Sequence, residues 1–355
     1  MDLDELRACI EPPGRMLPAQ AYLDPDVLAF ERRALFAGGW VCAGRSSTLP
    51  RGSRRAQQVG DDSILLVRDD RSTLRAFYNV CRHRAHELLP CGQTARGRTI
   101  ACPYHGWTYD TQGRQTRPGT GTDLIEVPVE EWHGFVFVNA SGDAPPLRDY
   151  LAGLDELAAP YEMSGMAVRA THEYVLRANW KLVAENYHEC YHCPEIHPEL
   201  CRASPPDSGD NYDPGQARWA GGSMTLNGDT MSLDGRSPTS TDRNPGKVIY
   251  VQLYPNLLLS MHPDYVLTHL VEPLTPSTTR ITCEWLFRDE EVDPAYAVDF
   301  WDLTNRQDWA ACESVQRGVS SRGYVPGPLA GREDCVHRWI AAVATAYQAG
   351  MAARR

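Results

Sequence analysis

Two short cysteine–histidine pairs, Cys81-Arg82-His83 and Cys102-Pro103-Tyr104-His105, decide how this sequence folds. Eighteen residues separate the two pairs. Each pair offers one thiolate and one imidazole, so together they could bind one zinc ion or one [2Fe–2S] cluster. Zinc fingers usually keep two histidines together on a helix, whereas a strand-like run, 105–110, follows the second pair. The pattern therefore favours a cluster in which two cysteines hold one iron and two histidines hold the other.

Other cysteines and histidines near these pairs are weaker ligand candidates. His86 lies between the pairs and is a rival to His83, although packing within the loop is the preferred interpretation. Cys42, Cys283 and Cys312 lie among apolar residues, which is typical of core thiols.

Size and composition exclude several classes of protein. The 355 residues are 42% hydrophobic and 23% charged, as in globular proteins. The net charge of −11 and the absence of long Lys/Arg runs argue against nucleic-acid binding. No apolar stretch reaches the ~18 residues of a membrane span. The acidic start, residues 1–5, does not resemble a signal peptide, so the eleven cysteines predict a reducing, cytoplasmic environment.

Patterns along the chain predict a small all-β module followed by a larger α+β domain. Short β-rich runs separated by Gly, Asp and Pro extend from Trp40 to Asn139, after a helix predicted over 24–37. A linker follows at 141–148, and a long irregular region, 200–246, is expected to cover an active site. Strands are predicted at 248–260, 265–273 and 279–288, and helices near 147–159, 180–192, 293–318 and 332–350.

The segment 179–198 predicts a second metal site, because it contains three histidines interleaved with two glutamates. Glu189 and His192 are three residues apart, so a helix over 180–192 would place them on one face. A proline ends this helix, and His197 can then fold back from the loop toward His192. His188 is an alternative to His197. Cys190 and Cys193 resemble a redox C-x-x-C pair, but packing around the site is the preferred interpretation.

A third ligand is predicted from the helix at 293–318. Asp308 falls on its apolar stripe, so its carboxylate should be buried, which is costly unless the group is paired or binds a metal. An ion pair with Arg306 or Lys181 is the alternative. The residues of this stripe are Trp301, Asn305, Asp308, Cys312 and Val315.

These motifs together resemble those of the large α subunit of Rieske non-haem iron oxygenases, from Trp40 to about Tyr347. In that family, a Rieske domain precedes a helix-grip catalytic domain, in which an antiparallel sheet wraps around a long helix. The resemblance implies an α+β fold with an N-terminal helical segment on the catalytic domain (1–39), a Rieske domain (40–142) and a catalytic domain (143–355). It assigns a [2Fe–2S] cluster to Cys81, His83, Cys102 and His105, and mononuclear Fe(II) to His192, His197 and Asp308.

The resemblance also implies a route for electrons. A ferredoxin- or flavin-containing reductase would take electrons from NAD(P)H and reduce the cluster. In the family, an acidic residue three positions before the first histidine ligand links the iron site to a Rieske histidine of the neighbouring subunit in a trimer. Here that residue is Glu189, which would pass electrons on from His83 or His105. The resemblance further implies that the reduced iron reacts with O2 only when substrate is bound.

The form E-N-Y-x-E-C-Y-H-C at 185–193 resembles the branch that acts on quaternary ammonium compounds such as glycine betaine, carnitine and stachydrine. The runs 305–319 and 230–235 resemble the glycine betaine type. The resemblance therefore implies a monooxygenase that hydroxylates an N-methyl group of a cationic small molecule, which then loses formaldehyde. Aromatic faces hold such cations, and the candidates are Trp219, Tyr250, Tyr254 and Tyr265, with Arg218 or His262 for a substrate carboxylate.

Two other functions remain open. An aromatic-ring hydroxylase or O-demethylase would have the same metal sites, but it would need an apolar pocket and usually has Asp in place of Glu189. A Rieske electron carrier without oxygenase activity would leave the roughly 200 residues after the cluster module unexplained.

Overall fold

A computed structural model describes residues 1–239 and 246–353, so residues 240–245 of the predicted irregular region lie outside the described residues. The chain forms two compact units, one of residues 31–150 and one of residues 1–30 with 151–355. The predicted α+β class is confirmed. The domain boundaries at 39/40 and 142/143 stay a prediction. Within the described ranges, no helix has the length and apolar character needed to cross a bilayer.

The N-terminal segment is helical. Asp2 caps the first helix by accepting a hydrogen bond from the amide of Asp4, and Pro25 begins the third, where its missing N–H is not needed. The helices are α1 (Leu3–Ile10), α2 (Ala19–Leu23) and α3 (Pro25–Glu31).

The unit of residues 31–150 consists mainly of short antiparallel strands in three sheets, ordered β1-β11-β10, β5-β2-β3-β4-β9 and β6-β7-β8. Cys81 follows β4 and Cys102 follows β6, and both sulfurs lie in a core with Phe77 and Tyr109. The elements are β1 (Val41–Arg45), β2 (Ser53–Val59), β3 (Asp62–Arg68), β4 (Leu74–Tyr78), β5 (Thr94–Arg96), β6 (Thr99–Ala101), β7 (Thr108–Asp110), β8 (Gln115–Arg117), β9 (Glu126–Val127), β10 (Val129–Trp132), β11 (Phe135–Val138) and α4 (Leu147–Tyr150).

The larger unit is built on a seven-stranded antiparallel sheet, ordered β12-β18-β17-β16-β15-β14-β13. A 25-residue helix, α9, packs against it. The elements are α5 (Leu154–Ala158), β12 (Ala167–Leu176), α6 (Trp180–Tyr187), α7 (Cys193–Ile196), α8 (Pro198–Ala203), β13 (Asp210–Asn211), β14 (Trp219–Thr225), β15 (Lys247–Leu253), β16 (Leu257–Met261), β17 (Tyr265–Thr275), β18 (Thr278–Phe287), α9 (Ala295–Val319) and α10 (Asp334–Ala352).

One face of this sheet contacts α9. Residues directly opposite each other on neighbouring strands point to the same side, and His269 pairs in register with Leu258. His269 Nε2 lies 3.1 Å from Asn305 Oδ1 of α9, and Trp301 Nε1 donates to the Tyr265 hydroxyl at 2.8 Å. The sheet and α9 therefore enclose the side chains between them.

Five predictions about these elements were wrong. The helix predicted near 147–159 is interrupted between α4 and α5, where Gly153 adopts φ +79°, and the region predicted to be irregular over 200–246 includes β13 and β14. The helix predicted over 180–192 ends at Tyr187, because the Glu189 carboxylate accepts the amides of Tyr191 and His192 in a loop instead. The strand predicted at 248–260 is two strands, β15 and β16, interrupted where Pro255 offers no backbone donor. Val315 is exposed.

The N-terminal segment is joined to α6 by a buried polar contact. The Tyr22 hydroxyl donates to Glu185 Oε1 at 2.9 Å, and Asn179 Nδ2 donates to the Tyr22 carbonyl at 3.1 Å. Burial raises the pKa of Glu185 to about 8, although the Tyr22 hydroxyl and the charge of Lys181 oppose this rise. The folded protein therefore favours the protonated carboxyl at neutral pH.

This shift predicts how stability depends on pH. The pKa of Glu185 in the folded protein lies above the ordinary 4.5. The contribution of Glu185 to the free energy of unfolding is therefore fully present below about pH 4.5 and is lost as the pH rises toward 8. Relative to wild type, Glu185→Gln should gain free energy of unfolding over this range, by at most ~1.4 kcal/mol per pH unit. Denaturant unfolding at pH 5, 6, 7 and 8 measures it. The exposed Glu156→Gln is the control, and a pH-independent difference for Glu185→Gln would contradict the prediction.

Candidate active site

The cysteines and histidines of the two short pairs lie near one another in the smaller unit. Cys81 and Cys102 are buried, whereas His83 and His105 are exposed, with ring centroids 4.7 Å apart. The Tyr109 hydroxyl lies 3.4 Å from Cys81 Sγ. The thiolates thus point inward and the imidazoles outward, which suits a cluster with one iron on each pair.

Backbone hydrogen bonds shape the two loops that present these residues. The amide of Cys81 donates to the His86 carbonyl at 2.8 Å, and that of Cys102 donates to the Trp107 carbonyl at 2.7 Å. Gly106, with φ +70°, makes the left-handed turn after His105.

His83, and not its rival His86, lies beside His105. The ring of His83 stacks on Trp107 at 4.7 Å, whereas the ring of His86 faces Tyr104 at 5.6 Å. The geometry therefore brings together the four residues that the sequence predicted.

His192, His197 and Asp308 meet in the larger unit. Asp308 Oδ1 lies 2.8 Å from His197 Nε2 and 3.3 Å from His192 Nε2. One ligand atom from each residue lies within 4.8 Å of the other two. His197 separates α7 from α8, and α9 supplies Asp308. Two imidazoles and a carboxylate that converge in this way fit a mononuclear iron with open positions.

The outer nitrogens of both imidazoles are hydrogen-bonded. His192 Nδ1 contacts Glu189 Oε1, and His197 Nδ1 lies 2.7 Å from Gln307 Oε1. Because these oxygens accept, each Nδ1 is assigned a proton, and each Nε2 is directed toward Asp308, which leaves the Nε2 atoms as the nitrogens available to a metal. Such contacts fix the tautomer and orientation of a metal-binding histidine. Sequence reasoning missed Gln307, although its position next to Asp308 was the available signal.

The charges of this group are mutually stabilised. Burial by itself would raise the pKa of Asp308, but hydrogen bonds and charge interactions with His192 and His197 hold it below its usual value. Burial by itself would lower the pKa of His192, but Asp308 and Glu189 raise it to about 9. Asp308 is therefore a carboxylate, and it faces histidines rather than Arg306 or Lys181, the alternative considered from the sequence.

His188 forms its hydrogen bond with a different residue, Gln252. Its Nε2 is 2.6 Å from Gln252 Oε1, and burial lowers the pKa of the ring to about 4. The His188 ring is thus neutral and bonded to the sheet, while His197 takes the place beside Asp308.

A cavity of about 540 Å³ opens over the three converging residues. It lies between α6, α9 and the sheet face that includes His269 and Leu258. Of the aromatic residues predicted to contact substrate, Tyr250 lines the cavity. Trp219, Tyr254 and Tyr265 do not line it. Trp219 donates to the Ala152 carbonyl, Tyr254 packs on Trp339, and Tyr265 stacks on His262.

Three aromatic rings that surround part of this cavity form a cage. Tyr250 lies 6.1 Å from Tyr187 and 6.3 Å from Trp301, measured between ring centroids. All three line the cavity. Tyr187 and Trp301 were not predicted as wall residues, because their placement depends on how α6 and α9 pack on the sheet.

Cys190 and Cys193 are joined by a disulfide, contrary to the prediction that they pack as thiols. Their Cα atoms are 4.9 Å apart, a separation that permits the bond. The bridge encloses Tyr191 and His192.

Comparison with known proteins identifies relatives over most of the chain. The family described as "Rieske [2Fe-2S] domain" matches residues 39–128, and "Ring hydroxylating alpha subunit (catalytic domain)" matches residues 163–349. The glycine betaine monooxygenase oxygenase subunit of Chromohalobacter salexigens is 35% identical, covering 88% of this chain and 81% of the relative. The carnitine monooxygenase oxygenase subunit of Escherichia coli K12 is 31% identical, covering 87% and 85%.

A solved structure shares the fold. It is that of a quaternary ammonium Rieske monooxygenase, described for carnitine oxidation and inter-subunit electron transfer. It superposes with a TM-score of 0.81 at 25% identity and covers 98% of this chain and 99% of that structure.

The contact between Gln307 and His197 predicts a role in metal affinity. Gln307→Leu removes the acceptor that orients the imidazole, so Fe(II) should bind about 10–100-fold more weakly. Chelator competition measures this affinity, and the visible spectrum reports the cluster. Gln307→Glu, which keeps an acceptor, should bind iron more tightly than Gln307→Leu.

Asp308→Ala is the reference variant for complete loss of iron binding. It should lose the mononuclear iron and keep the cluster spectrum. Wild-type iron affinity in Gln307→Leu, or a lost cluster in Asp308→Ala, would contradict this assignment.

Proposed function

This chain belongs to the ring-hydroxylating α-subunit family of Rieske oxygenases, and we propose that it demethylates a quaternary ammonium carboxylate of the glycine betaine type. The observation that supports this substrate most is the aromatic cage of Tyr187, Tyr250 and Trp301 next to the converging His192, His197 and Asp308. A quaternary ammonium group has no N–H to donate, so aromatic faces are its natural partners, at about 0.5–2 kcal/mol each.

The charge around the cavity also favours a cation. Residues 31–150 contain 16 arginines and 13 acidic residues, which gives that unit a net charge of +3. Since the whole chain has a net charge of −11, the unit with the cavity has a net charge of −14. Five acidic residues and one arginine are among the described residues that line the cavity. A cavity with this charge attracts cationic ligands and fits an apolar arene less well.

In the family, the chain holds a Rieske [2Fe–2S] cluster and a mononuclear iron. When bound, these groups supply stored electrons and O2 activation. We assign the cluster to Cys81, His83, Cys102 and His105, and the iron to His192, His197 and Asp308. The protein's residues position the substrate: the cage holds the ammonium, so that one N-methyl group faces the converging ligands.

The chemistry after hydroxylation needs little from the protein. A hydroxylated N-methyl group is a carbinolamine, which loses its hydroxyl proton as the C–N bond breaks. The electron pair stays on nitrogen, and formaldehyde and the tertiary amine leave.

Electron delivery involves a partner protein and, we propose, a second copy of this chain in a homotrimer. We also propose that the protein is cytoplasmic and receives electrons from a ferredoxin or flavin reductase that oxidises NAD(P)H. His83 and His105 are exposed next to Tyr104, which is 53% exposed. The loop of Glu189 exposes Tyr191 by 64%. Each loop thus exposes an aromatic side chain that could contact a second copy of the chain. In the second loop, Glu189 lies between the exposed Tyr191 and His192 and contacts both.

A product assay tests the proposed substrate. Iron- and cluster-loaded protein, a generic ferredoxin reductase, NADH and O2 are offered glycine betaine, carnitine, choline, stachydrine and a set of methoxy- and alkyl-aromatics. We expect formaldehyde from a quaternary ammonium compound and none from Asp308→Ala. Turnover of arenes alone would contradict the ammonium substrate while leaving the oxygenase family intact.

The contact of Glu189 with His192 predicts a variant defective in electron transfer. Glu189→Gln keeps the side-chain shape, so iron and cluster contents should match wild type, while turnover falls by about 10–100-fold or more. Single-turnover product formation from pre-reduced protein measures electron transfer within the protein, separately from metal content and from reduction by the reductase. The exposed Glu195→Gln is the matched control, and wild-type single turnover in Glu189→Gln would contradict the proposed path.

A further inference from the structure

The cavity extends from the aromatic cage toward one charged side chain. A row of paired residues crosses the sheet from Ser260 on β16 to Tyr250 on β15, Gly222 on β14 and Asn211 on β13. All of them share one sheet face. The Tyr187 hydroxyl lies 3.0 Å from Ser260 Oγ, so the cage occupies one end of this row.

Gly222 lies toward the other end of the row and packs tightly against β13. A Cβ atom there would lie 2.5 Å from the Asp210 carbonyl, so the close approach of β13 requires glycine. The cavity also extends past Tyr250 toward this end of the row. Gly222 and Asn211 both line it.

The turn before α10 packs against β14 near this end of the row. Cys335 Sγ contacts the Gly221 carbonyl at 3.6 Å, which packs the first turn of α10 on β14. The amide of Ala330 donates to the Glu333 side chain, and the amide of Glu333 donates to the Ala330 carbonyl at 3.1 Å. This double contact fixes the turn that carries Arg332, an exposed residue that lines the cavity.

Arg332 is the one lysine or arginine among the described residues that line the cavity. It makes no ion pair within the described ranges of the chain. Besides Glu189 and Asp308, which face the histidines, three carboxylates line the same cavity, those of Asp207, Asp210 and Asp334. They would repel a substrate carboxylate unless a cation paired with it directly.

We propose that Arg332 binds the carboxylate of a zwitterionic substrate whose ammonium group lies in the cage of Tyr187, Tyr250 and Trp301. This inference rests on the proposed function and narrows its substrate class to trimethylammonium carboxylates with a short carbon chain. The guanidinium pairs with carboxylates through two parallel N–H donors, which a lysine cannot reproduce. Arg332 is thus a specificity-determining residue rather than a catalytic one.

Two ligands that share the trimethylammonium group test the proposal. Glycine betaine has a carboxylate and choline has a hydroxyl in its place. Calorimetric titration of the iron- and cluster-loaded protein without O2 gives Kd for each ligand. Formaldehyde release gives KM and kcat. The variants are Arg332→Gln and Arg332→Lys, with Arg338→Gln as the control, because Arg338 lies outside the cavity and pairs with Asp213.

We expect Arg332→Gln to weaken glycine betaine binding by about 10–100-fold, the effect of removing a hydrogen-bonded charge. KM should rise by a similar factor and kcat should change little, while choline binding stays within about twofold. Arg332→Lys should recover part of the loss, and Arg338→Gln should behave as wild type. Equal effects on both ligands, or none on either, would overturn the role of Arg332. Wild-type protein that neither binds nor demethylates either ligand would instead overturn the proposed function.

Discussion

The arrangement of the active site depends on a single carboxylate placed between two imidazoles. Asp308 Oδ1 lies within 2.8 Å of His197 Nε2 and 3.3 Å of His192 Nε2, in surroundings where an unpaired charge would be costly. The two rings can face Asp308 only because Glu189 and Gln307 accept from their outer nitrogens. The buried charge of Asp308 would destabilise the fold if it were unpaired. Because it is paired with both imidazoles, one atom from each of the three residues faces the same point, where a metal could bind.

The fold supplies this geometry through one helix and one sheet face. The α9 helix contributes Gln307 and Asp308 to the ligand group, and its residues Trp301 and Asn305 contact the sheet. The chain between α6 and α8 brings the histidines to the same place. Since the aromatic cage is made from α6, α9 and β15, the elements that fix the ligands also fix the binding space above them.

The residues that converge at the two candidate metal sites could be predicted from the sequence, mostly because their spacing is local, whereas much of the cavity could not. Cys81, His83, Cys102 and His105 lie in two short motifs, and the segment around His192 is similarly dense. Asp308 followed from helical periodicity, which failed seven residues later at the exposed Val315. Tyr187 and Trp301 depend on tertiary packing, and Arg332 depends on a turn held against β14. The predicted helix failed beyond Tyr187 because side-chain contacts outcompeted the helical hydrogen bonds of the following residues.

The most direct test of this account is a crystal structure of the iron-loaded protein with glycine betaine, grown without O2. The account predicts an iron held by His192, His197 and Asp308, with the ammonium between Tyr187, Tyr250 and Trp301 and one methyl carbon nearest the metal. An iron on other residues, or an ammonium group outside this cage with its methyl groups turned away from the metal, would contradict it.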